Sequence, residues 1–274
     1  MKRVLPFLLL LISAVSCTEE DPKPTKKVIT EINTLRQDGQ PDAPRTFTYD
    51  ESGLLKEYRH YAPLSHEYNP AGRLIKVQVG SKQEKYTYDA AGRLATSTTL
   101  GLHDTVIETG VFFYDATGRM ERMSVLERMD WPEPHTFATH YLLTYDASGN
   151  VIRQDLYRST SLEELGGLYG TMEAVFDGHR NPLRVVGSPN FGHHHFHTNG
   201  GPTEENIFDV LTGAQRGRRS LISFLSPNNA VSIKYTNGNG VINPINVVYR
   251  YDGEGDPIEM KVNERVFTVV YENR

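Results

Sequence analysis

An all-β fold of antiparallel hairpin repeats, drawn into a wide curled sheet or open barrel, is predicted for this chain of 274 residues by three observations. A turn motif of the form aromatic-Asp-x-x-Gly recurs down the chain. The segments between copies alternate apolar and polar side chains, as in Ile75, Val77 and Val79 against Lys76 and Gln78, which is the period of a strand. The 23 Gly and 15 Tyr favour a turn-rich β-structure.

Composition narrows the functional classes. The chain has 29 Lys+Arg against 34 Asp+Glu, a net charge of −5. Residues 1–16 hold Lys2 and Arg3 and no acid, so the remainder carries −7. Phosphate backbones need clustered Lys and Arg, so no nucleic-acid partner is expected. One cysteine, Cys17, excludes a disulfide framework and a Cys-based zinc site.

At the N-terminus, Met1-Lys2-Arg3 is a basic lead into the apolar run Val4 to Val15. That run is about half the length a membrane-spanning helix needs, so residues 1–16 are expected to be a secretory signal peptide. The site Ala14-Val15-Ser16-Cys17 resembles the lipobox of bacterial lipoproteins, with Ala14 where Leu is usual; the resemblance implies a covalent lipid on Cys17. Residues 17–27 then form an acidic, proline-broken tether, and residues 28–274 a single β-domain. The acids just after Cys17 also resemble the export signal of surface lipoproteins in the Bacteroidetes.

Seven copies of the turn motif follow, with aromatics 19, 20, 26, 31, 31 and 75 residues apart. Their defining residues are Tyr49, Asp50 and Gly53; Tyr68, Asn69 and Gly72; Tyr88, Asp89 and Gly92; and Tyr114, Asp115 and Gly118. Then come Tyr145, Asp146 and Gly149, a degenerate Phe176 and Asp177, and finally Tyr251, Asp252 and Gly255. The Asp or Asn accepts backbone amides of its own turn, and the Gly takes the left-handed conformation that closes it. Gly80-Ser81 and Asn237-Gly238-Asn239-Gly240 supply hairpin turns between copies.

These copies resemble the YD repeats of the RHS family, whose hallmark is Tyr-Asp-x-x-Gly-Arg-Leu. The whole resembles Bacteroidetes lipoproteins with YD-like repeats and an antiparallel, porin-like or open-barrel β-fold. The resemblance covers Lys26 to the C-terminus and implies a fold more than an activity. Seven units are too few to enclose a second protein, so the cocoon role of the long RHS shells is not carried over.

Two strands per hairpin give roughly fourteen to seventeen strands, and sheets wider than about ten curl, close or split. A closed barrel that wide must be filled by something. The partly irregular insert at 187–229, with a short helix expected over Thr203 to Leu211, is expected to pack inside or to cap the sheet. The strands carry Lys76, Gln78, Lys82, Glu84, Arg122, Glu127 and Arg128, and mean hydropathy is −0.47. No continuous lipid-facing band is visible, so the protein is expected to be anchored to a membrane rather than to span it.

Chemistry-bearing candidates are few. His193, His195 and His197 share one side of an extended chain, and three imidazoles suffice for a zinc site; the bland alternative is a polar loop. The repeat aspartates resemble a bank of acids or calcium ligands, but their fixed place before x-x-Gly points to turn capping. Asp252-Gly253-Glu254-Gly255-Asp256 comes nearest to a calcium loop and lacks its distal Glu. The repeat tyrosines would stack sugars if exposed, or line an inward ladder if buried. Arg216-Gly217-Arg218-Arg219 reads as a solvated basic loop, and Trp131 as a hairpin tip able to anchor a partner.

The functional expectation is a lipid-anchored, non-catalytic binding or scaffold module of the outer membrane, facing the cell surface or the periplasm. Its partner would be a glycan or an envelope protein, and no cofactor is expected. The alternative is a metal-dependent envelope hydrolase using the cluster from His193 to His197.

Overall fold

The computed structural model describes residues 26–35, 39–59, 62–129, 135–182, 184, 221–238, 240–262 and 265–274. Its first half runs β1 (Lys27–Leu35), β2 (Arg45–Tyr49), β3 (Leu55–Arg59), β4 (Pro63–Tyr68), β5 (Leu74–Val79), β6 (Lys82–Tyr88), β7 (Leu94–Leu100) and β8 (Val106–Tyr114). The second half runs β9 (Met120–Met129), β10 (His135–Tyr145), β11 (Val151–Ser159), β12 (Gly167–Arg180), helix α1 (Ile222–Leu225), β13 (Asn228–Asn237), β14 (Gly240–Tyr251), β15 (Pro257–Val262) and β16 (Arg265–Asn273). Each strand pairs antiparallel with its chain neighbours, and β16 pairs β1, so the predicted wide sheet closes into a barrel of sixteen strands.

Closure puts every motif turn on one rim. The turns after β2, β4, β6, β8, β10 and β14 all lie there, and so does the seam where β1 begins and β16 ends. At the seam the Lys26 N–H donates to the Arg274 carbonyl at 2.5 Å, and the Arg274 N–H donates back at 3.0 Å.

The register shifts by one residue at each of these turns, between Thr48 and Tyr49, Glu67 and Tyr68, Thr87 and Tyr88, Phe113 and Tyr114, Thr144 and Tyr145, and Arg250 and Tyr251. Such a bulge reverses the parity of the strand locally. Inward positions after each turn are therefore three residues apart instead of two. Leu55 with Tyr58, Leu74 with Val77, and Met120 with Met123 are all buried. Ile75, expected on the same face as Val77, is 37 % exposed for this reason.

One contiguous apolar cluster draws members from every strand, among them Ile32, Phe47, Tyr58, Phe112, Met123, Tyr141, Leu156, Met172, Met260 and Phe267. The interior bounded by the described residues is thus lined by bulky, buried side chains.

The expected insert is described only at its C-terminal end. Leu221 and Ile222 are buried in the barrel core, and the Leu221 N–H donates to inward Gln154 Oε1 at 2.8 Å. Asn228 and Asn229 already belong to β13, so the irregular stretch ends before them. The helix expected over Thr203 to Leu211 lies outside the described residues. At the other end, Lys27, expected to finish the tether, opens β1.

Candidate functional site: the turn rim and the interior row

The motif's Asp works within its own turn. Asp50 Oδ1 accepts the Ser52 and Leu54 amides, both at 2.9 Å. Asn69 Oδ1 does the same for Ala71 and Arg73, and Asp115 Oδ1 for Thr117 and Arg119. Asp89 and Asp146 accept the amides of Arg93 and Asn150. In three of the Asp turns the side chain at position +4 reaches the second oxygen: Arg93 Nε to Asp89 Oδ2 at 2.8 Å, Arg119 Nε to Asp115 Oδ2 at 3.2 Å and Asn150 Nδ2 to Asp146 Oδ2 at 2.9 Å. The Thr117 hydroxyl and these amides hold the Asp115 carboxyl at a pKa of about 2. Gly92 and Gly149 sit at φ +78° and +86°, where a Cβ would be strained.

The motif's Tyr works between repeats. Near this rim the strands on either side of it splay, and each hydroxyl crosses the gap to a backbone carbonyl of the preceding hairpin. Tyr68 donates to Leu55 at 2.8 Å, Tyr88 to Leu74 at 2.6 Å, Tyr114 to Leu94 at 2.9 Å and Tyr145 to Met120 at 2.7 Å. Tyr49 donates to the Ile29 carbonyl in β1 at 2.7 Å, which carries the ladder up to the seam. Arg73, Arg93 and Arg119 then lie over the rings of Tyr88, Tyr114 and Tyr145 at 5.6, 4.4 and 5.3 Å. Burial raises the hydroxyls of Tyr68, Tyr114 and Tyr145 to a pKa of about 12, so they remain donors at neutral pH.

Two copies depart from the pattern. Phe176 and Asp177, expected to make a turn, lie inside β12, which runs on to Arg180. Phe has no hydroxyl to donate across to the preceding hairpin; there the Val151 N–H donates to Ser226 Oγ, just beyond α1, at 2.9 Å. Tyr251 is turned away from the ladder: it donates to Asp177 Oδ2 and stacks on His179 with centroids 3.8 Å apart. Tyr249 takes its place, donating to the Ala230 carbonyl at 3.0 Å.

An eighth copy, missed in the sequence, is split across the β1–β16 seam. Tyr271 donates to the Pro257 carbonyl at 2.9 Å, and Arg274 lies 5.5 Å over the Tyr49 ring. Tyr271-Glu272 on β16 and Val28-Ile29 on β1 face each other across the seam as the two arms of a motif turn do. Only Tyr271-Glu272 hinted at it.

Asp252, Glu254 and Asp256 bring their carboxylates together as a metal site would. Lys27 Nζ takes the centre, at 2.5 Å from Asp252, 2.8 Å from Glu254 and 3.2 Å from Asp256. The residues fit an ammonium rather than an added cation. Lys27 holds the Asp252 carboxyl at about 2, below its ordinary 3.8. A depressed carboxylate stabilises the fold above its ordinary range, and that stability is lost as pH falls from about 4 towards 2. Lys27→Met removes the cation that holds the Asp252 carboxyl down and leaves it beside two other carboxylates, so its pKa rises. The acid-unfolding midpoint followed by circular dichroism is expected to move to higher pH; an unchanged midpoint would show that the ion pairs contribute nothing.

Glu84 and Glu127, expected among the charges that break up a lipid-facing band, share the inward row, and Glu108 joins them. Cross-strand register places Val77, Glu84, Thr99 and Glu108 in one row, with Glu127 following on β9. Glu84 and Glu108 are buried, with Tyr86, Ser97 and Thr99 around them. Burial first, and the charge of Glu84 second, push the Tyr86 hydroxyl well above its ordinary pKa. Their shared parity with Tyr86 and Tyr88 was the available signal.

The outer wall carries cross-strand ion pairs: Lys76 with Glu67 at 2.5 Å, Lys234 with Glu173 at 3.4 Å and Arg250 with Glu259 at 3.0 Å. His140 also faces outwards, yet the β11–β12 connection covers it. Its ring nitrogens meet Ser124 Oγ at 2.8 Å and Ser159 Oγ at 2.9 Å, and burial lowers its pKa. Cys17, His193, His195, His197, Trp131 and the Arg216–Arg219 cluster lie outside the described residues.

This ring of capped turns and bridging tyrosines defines a YD-repeat antiparallel β-barrel. Residues 37–156 match the Teneurin YD-shell family model. The chain is similar in fold to a porin-like protein from Bacteroides uniformis, with a TM-score of 0.53 at 12 % identity, covering 91 % of this chain and 97 % of that one. A porin-like protein from Bacteroides vulgatus gives 0.51 at 12 % identity, covering 90 % and 99 %. No curated protein matches the sequence.

Proposed function

We propose that this protein is a lipid-anchored, non-catalytic module of the bacterial outer envelope, serving as a binding or scaffold element for a glycan or a partner protein. The observation that carries the reading is the use to which the repeat's polar groups are put. The capping Asp and Asn residues are held by their own turns, and the bridging Tyr hydroxyls by neighbouring hairpins. Such groups are unsuited to general acid–base work, which needs a titratable group poised near neutral pH.

Charged pairs on the outer wall support anchoring over spanning, because a lipid-facing band excludes them. With the repeat tyrosines engaged, a sugar would meet other aromatics. Phe137 and Tyr169, at the ends of β10 and β12 far from the turn rim, flank Arg158 at 5.5 and 3.9 Å. Loss of glycan-array binding on Phe137→Ala or Tyr169→Ala is expected; binding indifferent to both removes the glycan version.

The anchor has a direct test. Intact mass of the mature protein should show acyl chains on Cys17, and Cys17→Ser should move the protein from the membrane fraction to the soluble one. A soluble wild type refutes the anchor.

A further inference from the structure

The place where the chain enters the barrel constrains how the barrel stands on a membrane. Lys26 is fixed at the turn rim by its pair of backbone bonds with Arg274, and Lys27 by its three carboxylates. Eight residues separate Cys17 from Lys26. At about 3.3–3.6 Å per residue the whole tether reaches roughly 30 Å when fully extended. Strand β1 alone has nine residues, so its far end lies about 30 Å from Lys26 along the wall. A tether of that reach holds the turn rim near the bilayer. It would bring the opposite rim down only by doubling back along the full height of the barrel. Glu19, Glu20 and Asp21 repel one another, which favours an extended tether over such a return.

We propose, resting on the lipid anchor set out above, that the ring of YD turns is the membrane-proximal face of this protein. The opposite rim is then the surface offered to a partner. The lipid bilayer is the occupant of the first face, and the ends of β9 to β12, with Phe137, Arg158 and Tyr169, project from the second. The division of labour follows from the chain: the repeat's turns hold the barrel together at the end that is tied down. The connections of the other end, free of the motif, vary in length and composition.

Fluorescence transfer to lipid tests this with the full-length lipoprotein. Cys17 carries its lipid through the thiol, so an introduced cysteine is the single reactive one. Ser148 is an exposed turn-rim position and Leu102, 66 % exposed, an opposite-rim position. Ser148→Cys and Leu102→Cys are labelled with a donor dye and reconstituted on phosphatidylcholine–phosphatidylglycerol vesicles bearing an acceptor-labelled lipid. Transfer several-fold stronger from position 148 than from 102 is expected. Equal transfer, or stronger transfer from 102, in protein that floats with the vesicles overturns the orientation alone. Protein that fails to float overturns the anchor and the orientation with it.

Discussion

Phe267→Ala is expected to lower stability by about 3–5 kcal/mol, the range for emptying a fully buried aromatic site. Phe267 is 0 % exposed on β16, the strand that closes the barrel, paired with Met260 on one side and Thr34 on the other. The cavity would open beside the β1–β16 seam that closes the barrel. For a chain of this size the loss corresponds to a fall in Tm of roughly 10 °C. Val248→Ala is the control: its side chain is 67 % exposed on the outer wall, and such surface changes stay within about 0.5 kcal/mol. Thermal melts in which the two variants fall together would show that the interior is not packed as described.

The second large effect is cumulative. Tyr68, Tyr88, Tyr114 and Tyr145 each donate one hydrogen bond to the preceding hairpin. Replacement by Phe keeps the ring and removes only the bridge, at about 1 kcal/mol each. The four substitutions act on successive, separate turns, so their costs should nearly add, to about 4 kcal/mol. Urea unfolding of the four-fold variant should show a lower midpoint with an unchanged slope. A midpoint within error of the wild type would mean the hydroxyls contribute nothing and the motif's Tyr is there for its ring alone.

Much of this was legible in the residues. Asp50, Asp89, Asp115 and Asp146 were expected to cap turns from their spacing to Gly, and they do so through short-range bonds that any copy of the motif can make alone. The exception is instructive. Phe176-Asp177 carries the aromatic and the acid but lacks the Gly three positions after the Asp, where Arg180 stands, and β12 runs straight through it. The interior row was misread for a different reason. Strict alternation through Ile75 gives no account of the register shift at the YD turn, which turns Ile75 outwards, whereas Glu84 faces inwards by plain alternation, paired with Val77 across the hairpin.

Strand content, the position of the motif turns and the role of Asp and Gly were therefore written locally, because a turn closes over five residues and needs nothing from the rest of the chain. Closure was not. Whether sixteen strands end as an open sheet or a barrel depends on β16 meeting β1, and on Lys27 reaching Asp252, a contact 225 residues apart in sequence. Those contacts require the accumulated twist of every intervening hairpin, so no window of sequence contains them. The tertiary structure alone decided that the ring is complete, that its eighth copy is shared across the β1–β16 seam, and that its lysine stands where a metal ion would otherwise fit.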